Sequence, residues 1–138
     1  MNLTLHATPE EVMRAVETLQ EYARAQGASD KIIFDLSLAL EECGSNIVNH
    51  ALQRDAQKTF QVSFERNGDA VVIELCDNGP QFDPTVTPDR NLQAEEDDLP
   101  GGWGIQLVRR KMDAVNYRRE GHENVLKLTK KISPSAEK

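Results

Sequence analysis

Apolar and polar positions change period several times along the chain, and each change marks an element. Leu3-Thr4-Leu5-His6-Ala7 alternates with period two, as a half-buried strand does. From Thr8 onward Val12, Val16, Leu19 and Ala23 keep helical spacing as far as Gly27, with Thr8 placed to cap, Pro9 at the first helical position and Glu10 and Glu11 in the first turn. A second helical run, with Asp30 as candidate cap, extends from about Lys31 to Leu52 and sets Ile33, Leu36, Leu40, Cys43 and Ile47 on one apolar stripe. Its interior Gly44 costs about 1 kcal/mol relative to Ala. That implies either close approach by another backbone or a ligand, or a tight contact between helix and sheet.

Period two then returns. Residues 60–65 alternate, Asn67-Gly68 is a two-residue hairpin turn, and residues 71–76 are apolar at nearly every position, which predicts a strand inside the sheet. Residues 77–84 are dense in turn formers. Between Thr85 and Pro100 periodicity is lost while Asp89, Glu95, Glu96, Asp97 and Asp98 accumulate, which predicts a long mobile loop with its carboxylates turned outward. Gly101-Gly102-Trp103-Gly104 then precedes a helix carried by Ile105, Leu107, Val108 and Met112, and residues 115–119 and 124–130 form two last strands around Glu120-Gly121-His122.

With 138 residues and 38% hydrophobic content, the chain predicts a single domain over residues 1–132, a lid at about 84–101, and a polar tail at 133–138. A net charge of −7 argues against a protein that grips nucleic-acid phosphates, but not against one nucleotide held by local donors and a metal. Cys43 and Cys76 have no metal-ligand spacing and read as small core residues. The chain shows no cationic leader followed by an apolar run, and no stretch of about eighteen apolar residues. A cytoplasmic protein without membrane contact is the expectation.

Chemistry enters at three places. Glu42, Asn46 and His50 are spaced four apart on one helix ridge, where a carboxylate can act as a base and an Asn oxygen suits Mg²⁺; a solvated helix face is the rival reading. Asp77 at the end of a buried strand can accept from an exocyclic amine such as that of adenine, and Gly79 leaves room for a flat ring, although Asp-Asn-Gly is also an ordinary turn. The glycines before Ile105 can present free N–H groups to phosphate or act as a hinge, and no Gly-Lys-Ser/Thr follows them. In chain order these supply a base and metal site, a base-recognition site, a lid and a phosphate cradle.

That order resembles the Bergerat-type, or GHKL, ATP-binding fold, and within it the bacterial anti-sigma-factor serine/threonine kinases. Residues 38–50 with Glu42, Asn46 and His50 resemble the family's N box. Asp77-x-Gly79-x-x-Phe82-Asp83-Pro84 resembles its first glycine box, and Gly102-x-Gly104-Ile105-x-Leu107-Val108 its second, while Gly121-x-x-Asn124 resembles its closing strands. The resemblance implies a two-layer α/β sandwich whose mixed, mostly antiparallel sheet is covered on one face by helices, with an ATP lid. It implies Glu42 as general base, Asn46 as Mg²⁺ ligand, and Asp77, Gly79, Phe82, Gly102, Gly104, Ile105 and Thr129 around ATP or ADP. His50 would be structural, and Glu41, about 100° around the helix from Glu42, faces solvent or a partner. A basic group for the γ-phosphate is expected, and the lid offers only Arg90.

The implied function is phosphorylation of an anti-sigma factor antagonist combined with binding of a sigma factor, by a homodimer. The alternative is a nucleotide-dependent regulatory module of the same fold without protein kinase activity. A plain α/β domain with accidental motifs is a third reading.

Overall fold

The computed structural model describes residues 1–85 and 100–132, with side chains described at 1–85 and 105–132. The 86–99 part of the expected lid, with Arg90 and the acidic run, and the 133–138 tail lie outside the described residues.

Strand β1 (Asn2–His6) leads into helix α1 (Pro9–Ala25), where Thr8 Oγ1 accepts from Glu11 N at 3.2 Å and so satisfies one of the free N–H groups of the first turn. Helix α2 (Asp30–Asn46) is capped by Ser29, whose hydroxyl accepts from Ile32 N, rather than by Asp30, which falls in its first turn. The helical path does not continue unchanged to Leu52: Ile47–Ala51 forms a π-helical segment. Strands β2 (Thr59–Asn67) and β3 (Ala70–Asp77) follow, turning on Gly68-Asp69, one residue later than the sequence suggested. Gly68 takes φ +66°, the conformation that favours glycine there. Helix α3 (Pro100–Lys111) and strands β4 (Ala114–Glu120) and β5 (Glu123–Lys131) complete the chain.

Among the described residues the sheet has the order β1-β2-β3-β5-β4 and is antiparallel at every pair, in line with the mostly antiparallel sheet expected and without a parallel pair. Alternation assigns its faces. Phe60, Val62, Phe64, Val71, Ile73, Leu75, Leu126 and Leu128 point into one core with Leu19, Leu36 and Leu40 of the helices. Full burial of such a side chain contributes roughly 1.5–3 kcal/mol. Gln61, Ser63, Glu74 and Lys127 lie on the opposite face, so the helices cover one side only. Because Asp77 and Asn124 share the inward parity and pair across β3 and β5, two polar residues end the apolar columns at one end of the sheet.

Two contacts fix the helical layer. A Cβ on Gly44 would stand 3.2 Å from Val12 Cγ1, so this glycine serves the crossing of α1 and α2, and neither a ligand nor the sheet. Asp35 of α2 is 1% exposed and faces three ammonium groups: Lys31 at 3.0 Å, Lys130 of β5 at 3.4 Å and Lys111 of α3 at 3.7 Å. Lys130 Nζ also donates to the Lys111 carbonyl at 2.6 Å, so the C-terminal end of α3 is tied to both α2 and β5. Burial pushes the Asp35 carboxyl up, but Lys31 and Lys130 together outweigh it and hold the group below its ordinary range.

Candidate functional site

Asp77 leaves β3 only 6% exposed, and its Oδ1 accepts from Gly79 N at 2.8 Å and from Asn124 Nδ2 at 3.0 Å. Both bonds fall on one oxygen, so among the described residues Oδ2 remains free to accept from something else. Asn124, 5% exposed, is the hub of this end of the sheet. Phe82 N, Tyr117 Oη and Arg119 Nη1 donate to its oxygen, while Arg119 Nη1 also donates to the Gly79 carbonyl at 2.9 Å.

Gly79 is required by the protein's own backbone. A Cβ there would lie 2.7 Å from the Ala51 carbonyl and 3.0 Å from Ala51 Cβ, closer than any side chain tolerates. What brings Ala51 to that place is the π-helical segment. A π turn closes one residue later than an α turn, so the ridge through Glu42 and Asn46 passes to Ala51 instead of His50. Asn46, Ile47 and Ala51 line the cleft, whereas Asn49 and His50 are exposed. The segment ends in two consecutive left-handed residues, Gln53 (φ 54°) and Arg54 (φ 61°), with Arg54 N bonded to the Val48 carbonyl and Arg54 Nε to Asn49 Oδ1. Two non-glycine residues in that region store strain beside the cleft.

The cleft is walled by Cys43, Ile47, Ala51, Leu75, Phe82, Pro84, Tyr117 and Leu126. Asn46, Asp77 and Asn124 are its polar groups, a mostly apolar slot with a few placed donors and acceptors, as ring-binding sites are. Phe82 lines it while 55% exposed, an apolar ring with one free face. One turn of α2 before Asn46 sits Glu42, half-buried. Its carboxyl is raised above the ordinary range, first by burial and then by the neighbouring Glu41 charge. Glu41 itself is exposed.

The other expected site residues fall differently. Gly102 and Gly104 lie inside α3, which begins at Pro100, so they do not form a loop ahead of it. Gly102 is in the first turn, where N–H groups lack intrahelical acceptors, and Gly104 lies further in. Ile105 is 4% exposed and packs in the core, leaving only its backbone for a ligand. Thr129 is not at the cleft. It pairs with Val72, five residues along β5 from Asn124. That separation is about 17 Å, and the odd count puts Thr129 on the opposite face. Asn124 stands beside Asp77 instead, at a position that depends on the pairing of β3 with β5 across the intervening helix. Tyr117 and Arg119 were missed for the same reason.

Both cysteines are free; Cys43 is buried, while Cys76 lies on the open sheet face beside Glu123 Oε1 at 3.3 Å. Burial pushes each thiol up to about 12, so neither supplies a thiolate nucleophile. The described residues contain no cluster of three or more His, Cys, Asp or Glu side chains able to hold a metal. Asn46 offers a single neutral oxygen. That suits Mg²⁺, which takes one or two protein ligands and fills the remaining positions with phosphate and water.

Comparison with known proteins places this geometry. A family model for the histidine kinase-like ATPase domain matches residues 5–130. A serine/threonine-protein kinase, BtrW of Bordetella bronchiseptica, is 30% identical over 97% of this chain and 95% of its own length. A serine-protein kinase, RsbW of Listeria innocua, is 30% identical over 88% of this chain and 81% of its own. Among solved structures, the RsbU and RsbW domains of a Mycobacterium tuberculosis protein superpose with a TM-score of 0.70 at 20% identity, covering 96% of this chain and 31% of that one. The SiaB-SiaC complex of Pseudomonas aeruginosa gives 0.63 at 15% identity, covering 94% of this chain and 88% of that one. The chain belongs to the histidine kinase-like ATPase domain family, among the serine-protein kinases of the RsbW and BtrW kind.

Proposed function

We propose that the chain is an ATP-dependent serine/threonine protein kinase that acts as an anti-sigma factor, phosphorylating an anti-sigma factor antagonist and binding a sigma factor in a partner switch. The observation that carries this is the meeting, in and beside one cleft, of a carboxylate with one free oxygen at Asp77, an amide oxygen at Asn46 and a raised carboxyl at Glu42. The names of the relatives, serine-protein kinases over most of this chain, support the same reaction. SiaB, a structural neighbour, is solved in complex with a protein partner, SiaC.

Asp77 accepts from the adenine amine, and Phe82 and the Ile47 and Leu126 walls exclude water from the ring. Asn46 holds Mg²⁺, which when bound offsets phosphate charge. Gly102, in the first turn of α3, presents its backbone N–H to phosphate. Glu42 takes the proton from a serine or threonine hydroxyl of the antagonist, a task for which its raised pKa suits it. Residues 1–132 act as one cytoplasmic domain, functioning as a homodimer.

Isothermal titration with Mg-ATP tests the site: the wild type binds, Asp77→Asn loses at least about tenfold in affinity because a charged acceptor becomes an amide, and Asn46→Ala weakens the Mg²⁺-dependent part alone. Labelled ATP and the antagonist test the reaction. Glu42→Ala should abolish transfer while retaining ATP; binding without transfer in the wild type would favour a regulatory module instead.

A further inference from the structure

We propose that Asn124 is the positioning residue that fixes the base-reading carboxylate, and so sets the preference of the cleft for a purine carrying an exocyclic amine. This rests on the placement of adenine against Asp77 given above. Nδ2 of Asn124 donates to Asp77 Oδ1 at 3.0 Å and to the Pro80 carbonyl at 2.9 Å, with the Gly79 carbonyl at 3.5 Å. Its oxygen receives Tyr117 Oη at 2.5 Å, Phe82 N at 3.2 Å and Arg119 Nη1 at 3.2 Å. A flipped amide would set its oxygen against a carboxylate and two carbonyls and its amine against two obligate N–H donors, with only the Tyr117 hydroxyl able to turn and accept. All contacts but that one would turn unfavourable, so the network favours one orientation.

The consequence reaches the ligand through Asp77. A lone buried carboxylate can rotate and offer either oxygen in several directions. Here the amide and the Gly79 N–H always occupy one oxygen, so the other is presented in a fixed direction as an acceptor without a competing donor. A base with an amine at that point gains a charge-assisted bond; a base without one leaves a buried carboxylate oxygen unpaired. Discrimination therefore depends on Asn124 although Asn124 need not touch the amine. Two segments supply its anchors: the loop after β3 through Phe82, and β4 through Tyr117 and Arg119.

The test is calorimetric binding of ATP and of purine riboside triphosphate, which lacks only the exocyclic amine, in magnesium buffer. The wild type should favour ATP by about tenfold or more, the worth of one hydrogen bond to a charged group. Asn124→Asp is nearly isosteric and keeps the acceptor, but sets a second carboxylate oxygen against Asp77. It should weaken ATP by about tenfold or more while the analogue changes by less than about threefold, so that preference collapses. Tyr117→Phe keeps the ring and removes one anchor, and should narrow the preference by about threefold even where Asn124→Asp does not fold. Equal losses for both nucleotides, or unchanged ATP affinity, would overturn the assignment of Asn124 while leaving the base reading intact. A wild type that binds both nucleotides alike would overturn the base reading itself, and this inference with it.

Discussion

Glu42 and Glu41 are neighbours in sequence with unequal surroundings: the first is half-buried and the second exposed. Burial and then the Glu41 charge raise the Glu42 carboxyl, so it keeps its proton to higher pH than an ordinary glutamate near about 4.3. A base must be deprotonated, so the transfer rate should fall on acidification through this raised value, above the usual carboxylate range. Glu41→Gln removes the second cause, and the acidic limb should move to lower pH. An unmoved limb in initial rates at saturating ATP would remove Glu41 from the tuning. Gly79 makes a steric prediction at the same scale. Gly79→Ala drives a methyl into the Ala51 carbonyl and should cost about 1–3 kcal/mol together with nucleotide affinity, read by thermal melting and calorimetry.

At the scale of elements, the site depends on how α2 ends and how α3 is held. The π-helical segment turns Ala51 rather than His50 into the cleft, and the left-handed pair after it returns the chain towards β2. Helix α3 is held at its far end by Asp35 with Lys111 and Lys130. Asp35→Asn leaves the partly exposed Lys111 and Lys130 ammonium groups without their buried counter-charge and should lower stability by about 1–3 kcal/mol, with faster amide exchange in α3. The folded carboxyl lies below its unfolded value. Its stabilisation is therefore complete above about pH 4 and is lost as pH falls through the lower folded pKa, a loss the Asn variant should not show in acid melts.

For the molecule as a whole, net charge bears on the proposed partner switch. The chain carries −7, and phosphorylation adds about −1.5 to −2 to the antagonist, so the modified antagonist should be the weaker binder. Because that repulsion acts through solvent, the difference between the two forms should narrow as salt shortens the screening length from about 30 Å at 0.01 M to about 8 Å at 0.15 M. A difference that is constant across salt would place the effect in direct contacts instead. Among the described residues no helix is long and apolar enough to cross a membrane.

Much of this protein was legible in the chain, because the periods of its helices and strands and its hairpin and cap residues are local. They set the element order, the core columns, and Glu42, Asn46, Asp77 and Gly79 as the groups to watch. Some local readings still missed by one residue, as at Ser29 and Gly68, where neighbouring residues have similar capping and turn propensities. What only tertiary structure decided is non-local. The pairing of β3 with β5 sets Asn124, and not Thr129, beside Asp77, and the extra residue in the π turn exchanges His50 for Ala51. The sequence by itself determined which residue types could bind and activate a nucleotide. The register of strands brought together across α3, and the contact of Gly79 with Ala51, decided which of them share the cleft, because that choice depends on packing between segments far apart in the chain.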